Sequence, residues 1–326
     1  MHALQISSLA QNQDIQTLVA EASKFLEAAK AGSTRSAYRS DIAHFKSFCT
    51  QHSLPFLPST PQVVALYISR LASTLTVSTI RRRLAAITNL HAEAGYPESP
   101  ATPGKHNVLR EVLAGIRRIR GDVSHGAEPI MGDSVRRIAA ACPDNLLGLR
   151  DKALVLCTFA MGCRRSNVCS FEVSDLTFSK EGVSVLVRRS KTDPFGSESR
   201  VIAIPFGEHE ETCPVTALRQ LLKAAQIESG PIFRSVKKGG IISETPLNPR
   251  SIAKILKKAA ARAGLNPNNV SPHGLRSGMA TQAAAIGGAE ERDIQRVTGH
   301  KSRGMVRRYI RDADLFRNNA SARLGL

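Results

Sequence analysis

Ser271-Pro272-His273-Gly274-Leu275-Arg276-Ser277-Gly278, followed by Thr298-Gly299-His300 and then by Met305-Val306-Arg307-Arg308-Tyr309, is the stretch from which the rest of the chain is read. Pro272 suits the first turn of a helix, where its missing N–H costs nothing. His273 and Arg276, three residues apart, then share a face of that helix. Thr298-Gly299-His300 reads as the end of another helix, and Tyr309 follows His300 by nine residues. Upstream, Gly162-Cys163-Arg164-Arg165-Ser166 adds a second candidate arginine, and Arg189-Ser190-Lys191-Thr192-Asp193 lies in a polar turn between the β-like runs Val183 to Val187 and Val201 to Ile204. Each fragment alone is commonplace. The order and spacing of Arg164, Lys191, His273, Arg276, His300 and Tyr309 together are not, and a protein without chemistry has no reason to supply all six.

The family resemblance set out next implies phosphoryl transfer, and for that chemistry the residue types complement one another. A tyrosyl hydroxyl is protonated at neutral pH, so its attack on phosphorus needs a proton acceptor and a way to stabilise developing charge. Guanidiniums at Arg164 and Arg276 offer fixed, permanently charged donors for the nonbridging oxygens of a phosphate. Histidine suits proton traffic near neutral pH.

The strings Gly162-Cys163-Arg164-Arg165-Ser166, His273-Gly274-Leu275-Arg276 and Gly299-His300 with Tyr309 resemble the tyrosine site-specific recombinase (phage integrase) family, which includes Cre and the Xer enzymes. The resemblance covers most of the chain. The helical first third and Tyr309-Ile310-Arg311 with its short tail are Cre-like, although Gly299-His300 is commoner in the wider family, where Cre has Trp. The resemblance implies a DNA recombinase that cleaves and rejoins strands through a 3′-phosphotyrosine intermediate and a Holliday junction. Tyr309 is then the nucleophile, Lys191 the acid that protonates the leaving 5′ oxygen, His273 the base toward Tyr309 and His300 a hydrogen-bond donor to the phosphate. One phosphodiester is exchanged for another, so neither metal nor cofactor is expected, in keeping with the lack of a P-loop string. One position departs from the pattern: where the family commonly has Glu or Asp three residues after the first arginine, this chain has Asn167, which can hydrogen-bond but carries no charge. Arg165 could exchange roles with Arg164, but the spacing from Gly162 favours Arg164.

Bulk composition points the same way. The 326 residues carry 45 Lys and Arg against 27 Asp and Glu, a net charge of +18, which calls for a polyanionic partner. The excess is shared, +6 up to residue 122 and +12 beyond it. Apolar stretches fall well short of the roughly 20 residues of a membrane span, and no signal layout opens the chain, so it is expected in the cytoplasm, on DNA, away from membranes. The cysteines at 49, 142, 157, 163, 169 and 213 form no CxxC pair and are expected to be reduced thiols without metal.

Along the chain, the first third is helical. A helix capped by Ser33 or Thr34 holds Tyr38, Ile42, Phe45 and Phe48, and Thr60-Pro61 starts a second. A third follows Ser78 and Thr79 and closes at Gly95, and a fourth holds Val108 to Ile116. Arg81, Arg82, Arg83, Arg117, Arg118 and Arg120 on these helices are candidate DNA contacts. Gly121 to Gly132 lacks apolar periodicity. The expected organisation is a helical core DNA-binding domain over 1–122, a linker over 123–132 and a catalytic domain over 133–326. Helices over 134–142 and 148–161 precede the β-like runs, and helices then resume to the end. The fold class is mainly α with a small antiparallel sheet: an N-terminal helical core-binding domain plus an α/β tyrosine-recombinase catalytic domain.

The expected partner is double-stranded DNA bearing a specific target site, bound by a homo-tetramer spanning two sites, with any accessory protein left open. Leu315, Phe316, Ala320 and Leu324 recur at roughly helical spacing in the tail, as in a helix that docks on a neighbouring protomer. Two alternatives compete, a type IB topoisomerase-like nicking and resealing enzyme and a non-catalytic DNA-binding protein. The topoisomerase has no need of a docking tail, and the DNA-binding protein does not explain the six residues.

Overall fold

The computed structural model describes residues 13–96, 98–121, 127–188, 200–237, 239–287, 289–300, 302–314 and 324. The chain divides into two compact units, residues 1–125 and 126–326.

The first unit consists of α1 (Gln13–Ala28), α2 (Gly32–Gln51), α3 (Pro61–Leu71), α4 (Val77–Glu93) and α5 (Asn107–Arg120). Its core is built from Phe45, Val64, Tyr67, Ile68, Ile80, Ile87 and Leu109, with Phe45 and Phe48 packed against the Tyr67 ring. Thr60 caps α3 as expected, its hydroxyl accepting from the Val63 N–H at 3.3 Å. Two other caps differ from expectation. Thr76 and not Ser78 or Thr79 caps α4, its hydroxyl accepting from the Thr79 N–H. In turn, α2 starts at Gly32 after Ala31, with no side-chain cap at all. The helix α1 was not anticipated. Its apolar residues Leu18, Phe25 and Leu26 are exposed, so the burial that usually lends meaning to helical periodicity is missing there.

The second unit opens with α6 (Gly132–Ala140), α7 (Leu146–Met161) and α8 (Arg165–Ser170). Next come β1 (Leu176–Phe178), β2 (Gly182–Val187), β3 (Arg200–Pro205) and α9 (Pro214–Ala224). The short strands β4 (Arg234–Val236) and β5 (Ile242–Pro246) precede α10 (Pro249–Arg262), α11 (Pro272–Gly287), α12 (Glu291–Thr298) and α13 (Arg303–Asp314). Capped by the Asn145 side chain, α7 is buried nearly all round and packs against α6, α9 and α11. β1, β2 and β3 form an antiparallel sheet in which Val185 lies opposite Ile202 and Val183 opposite Ile204, with exposed Val201 and Ala203 alternating on β3. The helices do not resume unbroken after β3, because β4 and β5 form a second antiparallel pair. These strands are too short for alternation to register, and Gly239 and Gly240 between them sit at positive φ.

Residues 127–131 bind the second unit. Ile130 is buried, and its N–H donates to the Gly274 carbonyl at 2.9 Å. The segment lies against the glycine face of α11, where a Cβ on Gly278 would come within 1.9 Å of the Ile130 carbonyl oxygen. No helix among the described residues is long and apolar enough to cross a membrane.

Candidate active site

Gly162 ends α7 in the left-handed conformation, φ +53°, and the chain turns there into Cys163 and Arg164. Arg164 stands before the first turn of α8 and is half-buried, whereas Arg165 is exposed. Arg276 comes from α11 and is 1% exposed. Its Nη1 donates to the Gly162 carbonyl at 2.5 Å and to the Thr298 carbonyl at 2.6 Å, so it clips the end of α7 to the end of α12. Its other terminal nitrogen, Nη2, is buried without a hydrogen-bond partner among the described residues. A buried donor left open on a charged group is costly unless something arrives to fill it.

Gly299, φ +68°, ends α12 and turns the chain to His300, which is buried. The His300 and Tyr309 rings lie 5.8 Å apart between centroids, inclined at 45°. Tyr309 is carried by α13 and is itself buried, within a small cluster with Ala280, Ile294 and Val306. His273, at the second position of α11, is exposed at the rim. The fold therefore gathers Arg164, His273, Arg276, His300 and Tyr309 from four separate segments. Lys191 lies outside the described residues, as do Leu315, Phe316 and Ala320 of the tail; Leu324 is exposed.

The electrostatics are one-sided. Burial and the charges of Arg276, Arg164, His273 and Arg200 push His300 down to about 3, so its imidazole is neutral at pH 7. Partial desolvation, then Arg276 and Arg164, hold His273 below the ordinary histidine range. Arg276 itself is brought down to about 10, by burial first and by Arg164 next. Burial pushes the Cys163 thiol beside them up to about 11, so it is an uncharged thiol. Asn167 is buried, its Oδ1 accepting from the Ser166 hydroxyl at 3.3 Å.

Two residues of this cluster were given no role by the sequence. Arg200, the first residue of β3, reaches across to donate from Nη1 to the Arg296 carbonyl at 3.2 Å, near the end of α12. Its guanidinium occupies the space that a Cβ on Gly299 would need. Nothing in the sequence singled it out, since it closes a polar turn. Thr298 was read only as part of a helix end; it is 1% exposed, and its hydroxyl is 2.7 Å from His300 Nδ1.

The six candidate DNA contacts lie in the first unit and have different surroundings. Arg82 and Arg83 pair with the buried Asp41 of α2, and Arg83 also donates to the Tyr67 hydroxyl at 2.6 Å. Arg81 is exposed, as are Arg117 and Arg118 on the last turn of α5, and Arg120 donates to the Ser73 carbonyl at 3.1 Å.

Residues 129–315 match the model of the phage integrase family, and residues 23–95 match that of the phage integrase N-terminal SAM-like domain. The chain belongs to the phage integrase family. An integrase/recombinase xerD homolog of Selenomonas ruminantium is 37% identical over 305 residues, covering 93% of this chain and 89% of that protein. A tyrosine recombinase XerC of Mycobacterium sp. (strain KMS) is 27% identical over 296 residues, 87% of this chain and 89% of that one. Among solved structures, a lambda integrase tetramer bound to a Holliday junction superposes with a TM-score of 0.56 at 18% identity, over 90% of this chain and 76% of that chain. The Tn1549 transposon integrase in complex with transposon right end DNA gives 0.56 at 14% identity, over 88% and 94%. At these identities the structural likenesses speak to the fold, which is the expected one: mostly helical, with a small antiparallel sheet in the catalytic unit. This integrase-family chain is thus a tyrosine recombinase, an enzyme of DNA strand transfer, and not a silent DNA-binding protein.

Proposed function

We propose that this recombinase cuts and rejoins DNA at a specific target site through a covalent bond between Tyr309 and the 3′ phosphate, with release of a free 5′ hydroxyl. The observation that carries the reading is a concentration of positive charge that meets no counter-charge among the described residues. Of these, every charged side chain acting on His300 is basic, and Arg276 is buried with Nη2 open. Such a site is built for an anion, and a phosphodiester supplies two nonbridging oxygens for Arg164 and Arg276 to hold. Tyr309, packed beside His300, is the nucleophile of the set. His273 and His300 serve the phosphate and the Tyr309 proton, and Lys191 protonates the leaving 5′ oxygen.

The same reading assigns the first unit, up to about residue 122, to grip the DNA, with Arg81, Arg117 and Arg118 on its exposed surface. It assigns the second unit to the chemistry. Exchange between two sites, through a Holliday junction, calls for four copies of a chain that carries one nucleophile each, working on DNA in the cytoplasm. The lambda integrase tetramer bound to a Holliday junction supports that assembly by likeness of fold.

The test is a nicked suicide substrate carrying the target site, with the adduct resolved on a denaturing gel. Tyr309→Phe removes one oxygen and nothing else, so it should bind the DNA and form no adduct. An adduct that persists in this variant removes Tyr309 from the role.

A further inference from the structure

Side chains alternate along β3, Ile202 and Ile204 buried, Val201 and Ala203 exposed, so Arg200 is the first residue of the inward row. An arginine in that row gives up part of its hydration. Among the described residues no carboxylate pairs with it; the ionisable groups acting on it are Cys163, an uncharged thiol, and Arg164, another cation. What it meets instead is the last turn of α12. Nη1 donates to the Arg296 carbonyl at 3.2 Å, and the guanidinium covers the face of Gly299 where a side chain would begin. The final carbonyls of a helix lack partners within it and carry the negative end of its dipole, so a cation placed there is favourable. Strand β3 is paired with β2 over its whole length, with Val187 opposite Arg200, so this cation is mounted on a fixed frame.

The turn after α12 needs such a frame. Gly299 stands at φ +68°, and glycine has the widest backbone freedom of any residue. Its N–H donates to the Gln295 carbonyl at 2.7 Å, Arg276 Nη1 holds the Thr298 carbonyl at 2.6 Å, and Gln295 Nε2 holds the His300 carbonyl at 2.7 Å. These contacts tie the turn to α12 itself and to α11. Arg200 supplies the tie to the sheet, on the side that glycine leaves bare. We infer that Arg200 is a positioning residue for strand transfer: it clasps the end of α12 against β3 and thereby fixes Gly299 and the His300 side chain within the phosphate site. The inference rests on the site proposed above. Shape matters as much as charge, because a flat guanidinium can lie against the glycine while one nitrogen donates to the carbonyl, and a compact ammonium cannot do both. Gly299 then lacks a side chain for two reasons, its left-handed backbone and the guanidinium laid over it.

The test is single-turnover adduct formation by the full-length protein on the nicked suicide substrate, with DNA affinity from gel mobility and folding from thermal melting by circular dichroism. Arg200→Ala should slow adduct formation by roughly 10- to 100-fold at nearly unchanged affinity, the scale on which misplacing a reacting group by about 1 Å slows a reaction. Arg200→Lys keeps the stem and the charge, guards against a variant that does not fold, and should recover little of the rate. Gly299→Ala should be at least as slow, since its Cβ evicts the guanidinium. The double variant should then be no more than a few-fold slower than Gly299→Ala alone, because both changes break one contact. Normal cleavage by Arg200→Ala overturns the inference, as does full recovery in Arg200→Lys or a double variant whose losses multiply. A neutral methylphosphonate at the cleavage position adds a further check. If the Arg200→Ala defect vanishes on it, Arg200 grips the phosphate charge directly and the clasp is refuted. Each of these results leaves Tyr309 in its role, whereas an adduct in Tyr309→Phe defeats the underlying reading whatever Arg200 does.

Discussion

At the turn after α7, Arg164 is half-buried and acts on both Arg276 and His300, while its neighbour Arg165 is exposed on the first turn of α8. Adjacent residues of the same type therefore face different solvents. A guanidinium partly withdrawn from water stabilises transition-state charge more than one fully in water. Arg164→Ala should lower the single-turnover cleavage rate by at least about 10²-fold, roughly 3 kcal/mol of transition-state stabilisation. Arg165→Ala should stay within a few-fold of wild type. Rates in the opposite order would hand the clamp to Arg165 and shift the motif by one residue. Asn167 belongs at this scale too. Buried, with a serine hydroxyl on its Oδ1, it fills its place without charge, where an unpaired carboxylate would carry a heavy desolvation cost.

At the scale of elements, α11 carries the site on one side and a seat for the incoming chain on the other. Gly274 and Gly278, one turn apart, leave a groove in which Glu128 to Ile130 lie, and a Cβ at either position would meet backbone oxygen at 2.6 Å or 1.9 Å. Because the obstacle is backbone and not a yielding side-chain tip, Gly278→Ala must move the segment or the helix. It should destabilise the catalytic unit by about 1–3 kcal/mol, the usual cost of overpacking a tight contact. Urea unfolding followed by circular dichroism measures this directly, and a midpoint equal to wild type would show that the segment gives way freely. Because α11 also holds Arg276 against Gly162 and Thr298, the same variant should lose cleavage in proportion to any shift of that helix.

For the whole molecule, the proposed recombination between two sites demands more than one nucleophile, and each chain offers one in the proposed Tyr309. The tail beyond Asp312 is the part whose apolar spacing, Leu315, Phe316, Ala320 and Leu324, fits a contact between copies. A head-to-tail contact of this kind would close into a ring, and since these residues follow Tyr309 closely in the chain, docking would also bear on that proposed nucleophile. Deleting residues 316–326 should leave binding to a single site nearly intact and abolish two-site synapsis and strand exchange. Sedimentation of complexes with one and with two target sites, run beside a recombination assay, reads both. Four-copy synapses and normal recombination by the truncated protein would place the assembly contact on other surfaces.

By itself the sequence determined the residue types of the site, their order, and the helices and strands whose periodicity or capping residues are strong, such as α3 behind Thr60-Pro61 and the alternating β3. It could do so because these signals are local, spanning a turn of helix or a pair of strand residues. It did not reveal α1, whose apolar residues are exposed, or the short pair β4 and β5. Nor did it separate the arginines of α4, two of which are paired with Asp41 from a different helix. Only the tertiary structure decided which nitrogen of Arg276 stays open among the described residues and that Arg200 belongs beside His300. The physical reason is distance along the chain. Arg276 is fixed by carbonyls 114 and 22 residues away, and Arg200 by one 96 residues away. Whether a charge is buried, paired or left waiting for an anion depends on partners that no local pattern names.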